Sequence, residues 1–181
     1  MSNSVVLYET PGTFAVPAEA EGLTVFKADL VVGMQPFDAA SVREHGYEFS
    51  STEHTEELRL SPRLLTNIVE FYRQTRAQER PRAFYNCHVF AGYVAGQIVE
   101  LPSGERWRSE WRERSASPDN LEPGEVYAIK DEQGVRVHSV LGINRPEMNL
   151  SILGNRSPLV VSRTEDLMVA YGGKEVVQLV R

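Results

Sequence analysis

Tyr85-Asn86-Cys87-His88-Val89-Phe90-Ala91-Gly92-Tyr93-Val94-Ala95-Gly96 contains the only cysteine in 181 residues and places it where a helix is expected to begin. Asn86 is a good capping residue. After Cys87 the apolar side chains Val89, Phe90, Tyr93, Val94 and Ile98 recur at helical spacing, so the segment reads as a helix buried along one side and ending near Glu100. A lone cysteine has no internal disulfide partner, which leaves buried packing or thiolate chemistry. A thiol in the first turn meets unsatisfied backbone N–H groups and the positive end of the helix dipole, and both favour the thiolate.

The residue that tilts the balance from packing toward chemistry is His138. It sits in Val135-Arg136-Val137-His138-Ser139-Val140-Leu141-Gly142-Ile143, which reads as a strand returning from a turn at Asp131-Glu132-Gln133-Gly134. Alternation puts Val135, Val137, Leu141 and Ile143 on one face and His138 with Val140 on the other. If the second face packs on the cysteine helix, two rigid elements bring imidazole and thiol together, the pairing a thiol nucleophile requires.

Composition sets outer bounds. With 41% hydrophobic and 24% charged residues the chain is ordinary for one folded domain, here residues 1–181, with 1–60 a β-rich N-terminal extension and 61–181 the core. A net charge of −6 argues against nucleic acid or anionic lipid as partner, because both are held by clustered Lys and Arg. The cationic run Arg73, Arg76, Arg80 and Arg82 is best read as a solvated helix end that complements the dipole. The N-terminus lacks a secretory pattern, and no apolar run approaches the ~18 residues of a membrane span. A cytoplasmic protein with a reduced thiol is the expectation. His45 and His54 lie in polar surroundings with no metal-ligand pattern such as H-E-x-x-H, so neither metal nor cofactor is expected.

The remaining segments supply the frame. Strands are expected at Ser4 to Tyr8, Leu23 to Val32, Gly46 to Ser50 and Glu57 to Leu60, then at Val126 to Ile129, Asn149 to Gly154, Pro158 to Ser162 and Glu175 to Val180. Ser61-Pro62 opens a helix running to about Ala77, and Thr164-Glu165-Asp166 caps a short one that ends at Gly172-Gly173. Trp107 and Trp111 fit either one face of a short helix or the wall of a cleft. A cysteine helix packed on a following antiparallel meander is an α+β arrangement.

Asn86-Cys87 at a helix start, then Pro123-Gly124-Glu125-Val126, then His138-Ser139-Val140-Leu141-Gly142-Ile143, resembles the NlpC-like cysteine peptidases of the papain-like superfamily over about residues 84–154. The resemblance implies a papain-like fold with the cysteine helix on an antiparallel sheet or partial barrel. It also implies cleavage of an amide bond, with a peptidoglycan-type peptide as one candidate substrate. By that likeness Cys87 is the nucleophile and His138 the general base. Asn149, or failing it Asn155, orients the imidazole. Tyr85, Asn86 and His88 flank the nucleophile at substrate-binding positions, but His88 stands where the family has serine and Asn86 where it has aspartate, so the substrate is left open. Asn-Cys followed by His or Phe is also similar to lecithin retinol acyltransferase-like proteins, a permuted branch in which the histidine precedes the cysteine. His45 or His54 would then be the partner, in a thiol acyltransferase or esterase. A small peptide or acyl group is the ligand class in either case, and a catalytically silent binding domain of the same fold is the reading outside catalysis.

Overall fold

The computed structural model describes residues 4–6, 24–31, 55–61, 63–64, 66–68, 70–71, 87–97, 111–152 and 159–180. Among these described residues nine strands and two complete helices are defined. They are β1 (Ser4–Val6), β2 (Thr24–Val31), β3 (Thr55–Leu60), α1 (Cys87–Val94), β4 (Arg112–Ala116), β5 (Val126–Lys130), β6 (Arg136–Gly142), β7 (Met148–Ile152), β8 (Leu159–Arg163), α2 (Thr164–Tyr171) and β9 (Glu175–Val180). The described residues from 63 to 71 are helical as well. Leu64 N–H donates to Ser61 Oγ at 3.3 Å, the capping role expected of that serine.

Six strands in the order β8-β7-β6-β5-β9-β4 form an antiparallel sheet, the α+β arrangement expected from the meander. β2 extends it by pairing in parallel with β8 and β1 and antiparallel with β3. The β5–β6 hairpin turns where Asp131 and Gly134 predict. Asp131 Oδ1 accepts from the N–H groups of Gln133 and Val135 at 2.9 and 2.8 Å, and Gly134 takes φ 77°, a conformation that disfavours a side chain.

Strand alternation divides the buried residues between two cores, one on each face of the sheet. On the first face α1 packs on β6 and β7. Val89, Phe90 and Val94 there meet Val126, Ala128, Leu141, Ile143, Leu150, Ile152, Val161, Val177 and Leu179. Phe71 of the preceding helical segment closes on Phe90 edge to face at 5.2 Å, and Asn67 Nδ2 donates to the Val94 carbonyl at 3.0 Å, satisfying one orphan acceptor at the end of α1. On the second face α2 covers Tyr127, Ile129, Val140, Val160 and Val176 with Leu167 and Ala170. Each fully buried side chain of this size contributes about 1.5–3 kcal/mol, so both faces are anchored to the sheet.

Four local expectations are corrected. α1 ends at Val94, short of Glu100, and Gly96 follows at φ 75°. Trp111 is buried in the first core at the entry to β4, so the charged stretch after it is an edge strand and not a helix; its Arg-Glu-Arg-Ser side chains are exposed, and an edge strand needs no apolar alternation. Thr164 is the first residue of α2 and not its cap, since its Oγ1 accepts from Asn149 Nδ2 at 3.2 Å while Arg163 occupies the capping position. Val135 is exposed, and a bulge in β6 turns Val137 to the second core, away from Leu141.

Candidate functional site

Cys87 is the first residue of α1 and is half-buried against the edge of the first core. His88 follows it and is nearly sealed. Its Nδ1 is hydrogen-bonded to Ser139 Oγ of β6 at 2.6 Å, a bond that pins the start of the helix to the sheet. This contact also fixes the sense of β6. Ser139 faces α1, as do Leu141 and Ile143, so its neighbour His138 must face the opposite way.

The surroundings of His138 agree. Its ring stacks on Tyr171 at the end of α2, with centroids 4.3 Å apart and planes inclined by 15°. Its Nε2 shares a hydrogen bond of 3.2 Å with Ser151 Oγ of β7, and its Nδ1 has no partner. The imidazole is wholly buried, and burial alone pushes its pKa from 6.5 down to about 3, so the ring is neutral at physiological pH. Asn149 lies on the same second face. Its Nδ2 donates to the Ser162 carbonyl at 3.1 Å and to Thr164 Oγ1 at 3.2 Å, while its Oδ1 accepts from Ser162 Oγ at 3.5 Å.

The Cys87, His138 and Asn149 constellation is therefore corrected. The alternation that sets His138 apart from Leu141 was legible in the chain, but the helix packed on the histidine's face is α2 and not the cysteine helix. Cys87 is on one side of the sheet, His138 and Asn149 are on the other, and Asn149 bonds to β8 and α2 without touching the imidazole through any bond described above. A thiol cannot pass its proton to a base across a sheet. Tyr85, Asn86, Asn155, His45 and His54 lie outside the described residues. Of the three flanking positions assigned to substrate, His88 alone is described, and it is engaged with Ser139.

The roles of three serines had no counterpart in the sequence analysis: Ser139 anchors His88, while Ser151 and Ser162 join His138, Asn149 and Thr164 in a polar row that is fully buried. The signal was the period-two placement of Asn149 and Ser151, which marks one face of β7 as polar while Met148, Leu150 and Ile152 mark the other as apolar. Among the described residues no three His, Cys, Asp or Glu side chains converge as a metal site, and no helix is long and apolar enough to cross a membrane. Compared with protein-family models, with curated proteins and with solved structures, the chain has no match in any of the three.

Proposed function

We propose that this chain is a binding or assembly module on an α+β frame, which does not work as a hydrolase through Cys87 and His138. The observation that carries this reading is the position of His138, stacked beneath Tyr171 on the face of the sheet away from α1. A general base must reach the proton it takes, and a fully buried imidazole held neutral by desolvation serves packing better than proton transfer. The ligand class that the resemblance suggests for such a module is a small peptide or an acyl group.

A second reading keeps Cys87 as the nucleophile of a thiol acyltransferase or hydrolase and takes its base from His45 or His54, in the permuted order. What favours it is the half-buried thiol at the first position of α1, within reach of a reagent. One experiment separates the two. Wild type, Cys87→Ser and Cys87→Ala are offered peptidoglycan stem peptides, simple amides and thioesters, and turnover is compared with melting temperature. The binding-module reading expects equal trace activity in all three proteins, with the fold and ligand affinity retained. Turnover by wild type that both variants lose, at unchanged melting temperature, refutes it and restores the thiol.

A further inference from the structure

The imidazole of His138 is closed in by β6, by its neighbours Ile129 on β5 and Ser151 on β7, and by Tyr171 above. With the hydrogen on Nε2 donated to Ser151, Nδ1 carries only a lone pair. A second proton there would create a buried cationic N–H with no acceptor, among the costliest groups to bury. The cover sits at the end of its element, since Tyr171 is the last residue of α2, and helix ends are where fraying starts. Beyond it Gly172 takes φ 65°, and the final turn is held by the N–H of Gly172 on the Met168 and Val169 carbonyls and of Gly173 on Met168 at 2.7 Å.

We propose that His138 and Tyr171 form an acid-sensitive latch, in which protonation of the imidazole at Nδ1 releases the last turn of α2 from the sheet and uncovers the second core.

Among the described residues no neighbouring carboxylate is placed to hold the cation in the closed form. Facing the ring from α2 is Tyr171, while Glu165 and Asp166 sit in the first turn, at the opposite end of that helix. β5 contributes Tyr127 on the same face, whose hydroxyl accepts from the Glu122 N–H at 2.8 Å, and Lys130 at the strand end, whose amine pairs with Glu113 and Glu175. Arg136 on β6 itself pairs with Glu113, and β7 has no titratable side chain. The depressed imidazole pKa, caused by burial with no charge partner, agrees with this geometry. Opening returns the ring to its ordinary range near 6.5, so the proton favours the open form progressively below that pH.

The test is hydrogen exchange on the full chain at pH 8 and pH 5, corrected for the intrinsic rate. The expected result is an opening constant for residues 168–172 that rises about 30-fold at pH 5 in wild type and stays within about two-fold in His138→Phe, which keeps an aromatic ring under Tyr171. His138→Gln, which keeps a donor for Ser151 but does not titrate, serves the same purpose if the Phe variant fails to fold. Equal pH dependence in wild type and variant overturns the latch. So does an opening constant for residues 168–172 equal to that of the β5, β6 and β7 amides at each pH, since both then exchange only through unfolding of the whole domain.

Discussion

Replacing Asn149 by alanine separates a structural role for this residue from the orienting role that its sequence position suggests. Its side chain is fully buried and joins β7 to β8 and to the first residue of α2 through two donated hydrogen bonds and one longer accepted one. Each such bond is worth about 1 kcal/mol net, and a buried partner left unsatisfied costs about 1–3 kcal/mol. Since Thr164 Oγ1 and Ser162 Oγ would both lose a partner, Asn149→Ala is expected to destabilise the fold by about 3 kcal/mol. For a chain of this size that corresponds to a melting temperature lower by about 6–12 °C. The effect should stop at the sheet. Native-state alkylation of Cys87 by iodoacetamide, followed by mass spectrometry below the melting transition, is expected to run at the wild-type rate because the thiol is on the other face. A melting temperature within 1–2 °C of wild type (roughly 0.5 kcal/mol) together with a several-fold change in alkylation rate would refute the placement of Asn149 and with it the separation of the two faces.

Stability should also follow pH through His138. Its folded pKa lies below its unfolded value, so the unfolded chain takes up a proton below about pH 6.5 that the folded chain refuses until about pH 3, and stability falls as pH falls through that window. About 2 kcal/mol should be lost between pH 8 and pH 5 by urea titration, and His138→Phe should flatten the profile. Glu113, held below the usual carboxylate range by hydrogen bonds to Lys130 and Arg136, adds to the loss only below about pH 4.5; as a partly exposed group it should show less than about 1 kcal/mol in Glu113→Gln. The pH profile of Cys87 alkylation should superimpose for wild type and His138→Gln, since no proton passes between them. Gly142→Ala should destabilise by about 2–3 kcal/mol in the same titration, because the new methyl group would collide with the Glu122 carbonyl where the Pro123-Gly124 turn crosses the end of β6.

The elements themselves were legible in the chain because their signals are local. The apolar spacing of Val89, Phe90, Tyr93 and Val94, the turn chemistry of Asp131 and Gly134, and the αL residue Gly172 after α2 depend on neighbours a few positions away. Even the face of β6 that carries His138 could be read from the alternation of Leu141 and Ile143. Where local signals thin out the reading failed: Arg112–Ala116 is an edge strand with no apolar face to betray it, and the bulge that reverses Val137 depends on the partner strand. The candidate site hinged on a question that no local pattern answers, namely which helix covers which face of the sheet. Alternation says that two faces exist, but it is indifferent to whether α1 or α2 lies over the imidazole. Long-range packing decides that, through His88 on Ser139 on one side and Tyr171 on His138 on the other, and it leaves the thiol and the histidine on opposite sides of one sheet.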